Sequence, residues 1–242
     1  MKIDVSMLSN PGGRKVNEDY TDYNILDEFG CYIMADGLGG HRGGDIASKA
    51  VAKSIISSFN ASPGFSTEKL QEYMRNAALA LEQLRSAERK ESSLKTTLVV
   101  LLTGEDKACW AHVGDSRLYL FRSGRLAFQT RDHSVPQHLA DSGSITADEI
   151  RFHEDRNRLT ASFDSSNFNK IRYSDKPVRL EEGDRFLLCS DGFWEYVIES
   201  EMEDSLAQSR TTQKWLEIME GKVISKAEEG HDNYSALALI VS

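Results

Sequence analysis

Short apolar or alternating runs recur along most of this chain and are broken by polar, glycine-rich turns. Residues 3–9, 21–26, 31–35, 97–103, 108–113, 117–121, 126–130, 178–180, 185–189 and 236–241 all have this character, which predicts strands. The tetrapeptides RSGR (122–125) and EEGD (181–184) put a glycine between or before such runs, as tight turns require.

A different period governs the helical segments. Ala47, Val51, Ile55 and Phe59 recur every four residues, so one stripe is apolar and a helix begins near Gly44 or Asp45. Leu70, Met74, Ala77, Ala78, Leu81 and Leu84 share a face of a second helix over 67–89. Thr146-x-x-Glu149 and Ser200-x-x-Glu203 both have the form of a capping box, which predicts two further helix starts, and a last helix is expected over 212–227.

Strands come first, then two helices, a long block of strands, more helices and a final strand. A parallel sheet would need a helix between most neighbouring strands, so the order predicts an α+β fold: a β-sandwich of two mainly antiparallel sheets flanked by helices. No linker or repeat divides residues 1–242, and one domain is expected. The stretch 142–168 carries only a short helix, and loops of that length are usually functional, which marks it as a candidate flap.

Composition narrows the functions. A formal charge of −9 disfavours a general nucleic-acid binder and suits a cation site. No apolar run is long enough to span a bilayer and the first residues lack an apolar leader core, so the expected location is cytoplasmic, away from membranes. Cys31, Cys109 and Cys189 each lie within an apolar run without metal-binding spacing, and read as buried hydrophobes.

The acids carry the chemistry. Glu18, Asp19, Asp36, Asp115, Asp191 and Asp232 all stand next to strand-like runs, and Gly37, Ser116 and Gly192 follow three of them. A lone Asp-Gly is usually a turn. Several carboxylates converging from different strands would repel one another unless a cation compensates, and all-oxygen ligation calls for magnesium or manganese. Spacing alone does not establish that they converge.

The segments GGRKVNED, ADGLGGHRGGDIAS, AHVGDSRLYLFRSGRL, TRDHS, HEDRNRLT, LLCSDGFWE and HDNYSALALI, in this order from about Ser6 to Val241, resemble the metal-dependent protein phosphatases of type 2C in their compact bacterial form. The resemblance implies a four-layer αββα sandwich with two magnesium or manganese ions at one end. It implies hydrolysis of phosphoserine and phosphothreonine in proteins by direct attack of a hydroxide bridging the two metals. By similarity Asp36 bridges the ions, with Asp191, Asp232, the Gly37 carbonyl and, through water, Glu18. Asp115 with Asp191 matches a third metal site. Asp19 and Asn233 match supporting positions, and Arg14 the phosphate-binding arginine, whose fork suits phosphate oxygens. A monomer acting on the products of a serine/threonine kinase is the implied setting.

Leu38 stands where some members carry a general-acid histidine. His41 is the candidate general acid here, against a structural histidine or a metal-bound water in that role. His133 and His153 match structural positions. Arg151, Arg156 and Arg158 in the flap either pair with Asp155 or Glu154 or contact the phosphoprotein. A PPM-fold module that binds a signalling partner with little catalysis is the alternative function, and an enzyme dephosphorylating an anti-sigma antagonist is a third; retention of every core acid favours catalysis.

Overall fold

The computed structural model describes residues 1–38, 43–87, 94–165 and 170–242. Twelve strands and six α-helices are found among them. The strands are β1 (Ile3–Asn10), β2 (Asp19–Leu26), β3 (Phe29–Leu38), β4 (Lys95–Thr96), β5 (Leu98–Gly104), β6 (Lys107–Val113), β7 (Arg117–Arg122), β8 (Arg125–Gln129), β9 (Arg172–Tyr173), β10 (Val178–Arg179), β11 (Arg185–Cys189) and β12 (Tyr234–Val241). The helices are α1 (Gly44–Ala61), α2 (Thr67–Ala87), α3 (Val135–Asp141), α4 (Asp191–Trp194), α5 (Glu199–Ala207) and α6 (Thr212–Lys226).

One sheet has the order β1-β12-β11-β7-β8 and the other β10-β6-β5-β3-β2, with β4 beside β3 and β9 beside β6. Every pairing of named strands is antiparallel. The alternation along β3 explains the layering. Cys31, Ile33 and Ala35 face α1 and α2, where Val51, Ile55, Phe59 and Tyr73 meet them, while Tyr32 and Met34 face the other sheet. Likewise Tyr119, Leu187 and Ala238 meet Trp215 and Met219 of α6, and Leu118, Leu188 and Leu237 fill the space between the sheets. The product is four layers, αββα, as expected.

Local departures have local causes. Helix α3 escapes the periodic pattern because it is short; Ser134 Oγ accepts the Gln137 N–H at 3.3 Å and Pro136 lies in its first turn. The second predicted helix is described to Ala87, and residues 88 and 89 lie outside the described residues. Ser200 is not a cap: α5 starts two residues earlier, Glu201 reaching back to the Ile198 N–H at 3.1 Å. Glu203 instead takes the Leu126 N–H and Arg125, far away in sequence. Thr146 precedes only a 3-10 turn, Asp148–Phe152, and its hydroxyl donates to Glu149 rather than capping an amide. All three cysteines are free and buried.

Candidate metal centre

The acids meet where strand ends from both sheets meet. Asp36 is on β3 two residues beyond Met34, so its side chain continues the face that looks toward the second sheet. Its peptide is locked in place: Thr97 accepts the Asp36 N–H at 3.0 Å, and the Asp36 carbonyl takes the Thr97 N–H at 2.7 Å and the Thr96 hydroxyl at 2.8 Å. Thr97 and Ser116 hydroxyls bond at 2.6 Å, which ties Asp36 to the β6–β7 turn holding Asp115. Asp191 follows β11 and Asp232 precedes β12, the strand beside it.

One carboxylate oxygen each of Asp36, Asp115 and Asp191 lies within 4.8 Å of the others. This tight trio contains Asp115, which the resemblance gives to a third ion, while Asp232 stands at the rim. There Arg14 Nη2 bonds Asp232 Oδ2 at 3.1 Å, both groups half-exposed. Burial, then the charges of Asp19, Asp191, Asp115 and Asp232, push Asp36 well above the usual carboxylate range. Asp115 is raised by burial and by Asp191 and Asp132. Asp191 is raised to about 6 by burial and Asp232, against hydrogen bonds from the Gly192 N–H and the Asp36 carboxyl. Burial also raises Glu18, with Asp45 and Asp232 adding to it and Arg14 opposing.

Around the trio stands a frame of hydrogen bonds. Asp19 pairs with Asp36 across β2 and β3, and is raised to about 7 by burial although the Ser190 hydroxyl donates to it at 2.7 Å. Asn233 gathers the loop before β2: its Oδ1 accepts the Glu18 N–H at 2.8 Å, and its Nδ2 donates to the Pro11 and Val16 carbonyls at 2.9 and 3.0 Å. The Gly37 N–H donates to the Glu18 carbonyl at 3.0 Å, and a Cβ on Gly37 would lie 2.1 Å from the Gly44 carbonyl oxygen, so only glycine fits there. A cavity of about 240 Å³ lined by Arg14, Arg156, Asp191, Glu195, His231 and Asp232 opens beside the acids.

Behind Asp115 lies a buried ionic cluster that sequence reading missed. Arg117 makes a fork with Asp132 at 2.9 and 2.8 Å, stacks on Trp194 at 3.5 Å and bonds the Tyr119 hydroxyl. Trp194 Nε1 donates to the Asp115 carbonyl at 2.9 Å. From the flap, Arg151 Nη2 donates to both carboxylate oxygens of Glu199, at 2.8 Å each. Arg156 bonds Glu195, a carboxyl raised to about 7 by burial and Asp191, and only Arg158 pairs with Asp155. Ser190, Trp194 and Glu195 all belong to the SDGFWE run, whose polar and aromatic content next to Asp191 was the available signal. His133 packs 5.3 Å from His112, and His153 Nδ1 accepts the Asp155 N–H within the flap. His41, Gly39 and Gly40 lie outside the described residues, as does the flap beyond residue 165.

The donor set consists wholly of oxygens, burial and mutual repulsion raise Asp36, Asp115 and Asp191 above the ordinary carboxylate range, and it sits at strand ends on a rigid sandwich. These features fit a hard divalent cation and define the class as a metal-dependent αββα enzyme domain. Residues 12–228 match the family model described as protein phosphatase 2C, and the chain belongs to that family. It is 31% identical over 209 residues to protein phosphatase PhpP of Streptococcus pneumoniae, covering 84% of this chain and 83% of that one. It is 29% identical over 232 residues to the serine/threonine phosphatase stp of Listeria innocua, covering 93% and 90%. The catalytic domain of the serine threonine protein phosphatase PstP, solved in complex with two manganese ions, superposes with a TM-score of 0.84 at 25% identity over 99% of both chains.

Proposed function

We propose that the chain is a metal-dependent protein phosphatase that hydrolyses phosphoserine and phosphothreonine in proteins. The carrying observation is the convergence of Asp36, Asp115 and Asp191 oxygens within 4.8 Å, with Arg14 bonded to Asp232 at the rim. In this reading Asp36, Asp191 and Asp232 hold two manganese or magnesium ions, with Glu18 and the Gly37 carbonyl contributing, and Asp115 with Asp191 serves a third. When bound, the ions supply an acidified water and draw charge from the phosphoryl oxygens.

The residues around them have separate tasks. Arg14 holds one oxygen of Asp232 and directs its remaining N–H donors at a phosphate in the adjoining cavity. A cation held by Asp36 and Asp191 would displace the protons that burial and neighbouring carboxylates keep on them, so loading would be coupled to pH. Asp19, gripped by Ser190, supplies negative charge beside Asp36 on the neighbouring strand. Asn233 keeps Glu18 and the Arg14 loop on β12. The proposed setting is a cytoplasmic monomer opposing a serine/threonine protein kinase.

Hydrolysis of a phosphothreonine peptide with manganese, with and without chelator, tests the reading. Activity should require the metal, and Asp36→Asn should lower it by more than the roughly 10–100-fold typical of outer positions while the fold survives. Well-folded wild-type protein that stays inactive at every manganese concentration rules the function out; an Asp36→Asn variant with full turnover rules out the ligand assignment.

A further inference from the structure

On the flank of the sandwich, between β8 of one sheet and β9 and β10 at the edge of the other, lies a cavity of about 470 Å³. That volume falls in the range of small-molecule sites. Trp110 and Phe128 form an aromatic wall, their rings lying 4.8 Å apart. Phe128 is 38% exposed. Arg131, Arg172 and Lys176 set three cations against one acid, Asp175. Among the described residues only Arg131 of the three makes an ion pair, with Asp141 at 3.3 Å. In a chain of charge −9, unpaired cations collected against aromatic rings ask for an explanation.

The lining holds a second unpartnered group. His112 is 6% exposed and gives its Nε2 proton to the Arg131 carbonyl at 3.0 Å. That tautomer leaves Nδ1 a bare acceptor with no partner among the described residues. Burial pushes the His112 pKa down to about 4, so the ring stays neutral and Nδ1 stays an acceptor at neutral pH.

The shape of the edge selects the kind of ligand. β9 and β10 already pair with β6, and between them Ser174 donates to the Trp110 carbonyl at 2.8 Å while its hydroxyl accepts the Trp110 N–H at 3.2 Å. The two-residue strands β9 and β10 offer little ladder to an extended peptide, whereas a compact molecule fits the cavity. We propose that this cavity binds a small anion carrying an aromatic ring, of the nucleotide class, with its ring against Trp110 and Phe128 and its phosphate facing Arg172 and Lys176. The site is separate from the metal centre but close to it in the chain: His112 is three residues before Asp115, and the His133 peptide bonds both Gly114 and Thr160 at 2.8 Å.

The test is titration calorimetry on the manganese-loaded full chain with 3′,5′-cyclic AMP and 3′,5′-cyclic GMP, phosphodiesters that are not monoester substrates. Inorganic phosphate and an acidic tyrosine-containing peptide serve as comparison ligands. One cyclic nucleotide should bind saturably one-to-one with a micromolar constant. The double variant Arg172→Glu/Lys176→Glu and, separately, Phe128→Ser should each weaken it about tenfold or more, with melting temperature and p-nitrophenyl phosphate hydrolysis unchanged. Four results each overturn the proposal: no saturable nucleotide binding up to millimolar concentration; phosphate binding as tightly as the nucleotide; affinity unaffected by both variants, which places the ligand at the metal centre; or binding of the acidic peptide alone, which makes the cavity a protein-docking site.

Discussion

Asn233 fastens the loop that carries Arg14 and Glu18 onto the last strand, and replacing it with alanine tests how far the site depends on that fastening. The side chain is 5% exposed and makes three hydrogen bonds to main-chain groups, at 2.8, 2.9 and 3.0 Å. Each is worth about 1 kcal/mol net, so Asn233→Ala should lose about 3 kcal/mol, including the open Glu18 N–H. With a urea dependence of about 2–3 kcal/mol per molar for a chain of this size, the unfolding midpoint should fall by about 1 M. Manganese affinity should fall as well, by roughly 10–100-fold, read from the metal dependence of hydrolysis. Asn233→Asp should be worse than alanine, because it aims a carboxylate oxygen at the Pro11 and Val16 carbonyls and adds charge beside Asp232. A midpoint within about 0.2 M of wild type together with unchanged manganese dependence would refute the reasoning, since either loss alone follows from these bonds.

In the metal-free protein burial raises Asp19 to about 7 and Asp191 to about 6, against about 4 in the unfolded chain. The folded state therefore holds more protons through that window and loses stability as pH rises across it; melting in chelator should be higher at pH 5 than at pH 8, and manganese should shrink the gap. A higher midpoint at pH 8 in chelator contradicts this. Gly37→Ala forces a Cβ against the Gly44 carbonyl and should cost about 1–3 kcal/mol in calorimetry, with metal binding impaired; an unchanged melt argues against the close approach. Arg117→Met strands the buried Asp132 and should cost about 3–5 kcal/mol, most of it recovered by adding Asp132→Leu. Equal losses in the single and double variants would show that packing on Trp194, not charge, is what Arg117 supplies.

Strands were legible because each face of a strand meets a different layer, as the split of Ile33 and Met34 between two cores illustrates. Capping was less so. Ile198-Glu201 and Ser200-Glu203 overlap in sequence, and the choice between them turns on Glu203 being held by Leu126 and Arg125. Each acid of the centre could be named from its strand end, but their convergence depends on register: Asp19 opposite Asp36, and Ser190 brought onto Asp19. The Arg117 fork and the Arg151–Glu199 pair were out of reach, since the partners lie 15 and 48 positions away and an isolated arginine reads as surface.

β1 has a single neighbour in its sheet, β12, with Ile3 opposite Val241 and Asn10 opposite Tyr234. For a ribosome this pairing is a delay. Arg14 and Glu18 leave the exit tunnel early, yet the groups that hold them, Asp232 and Asn233, follow more than two hundred codons later. A nascent chain stalled ahead of Asp232 has Glu18, Asp19, Asp36, Asp115 and Asp191 but neither a finished sheet nor an anchored arginine loop. Hydrolysis is thereby withheld until nearly all of the domain has been made, and a truncation ahead of Asp232 should leave no partial enzyme behind.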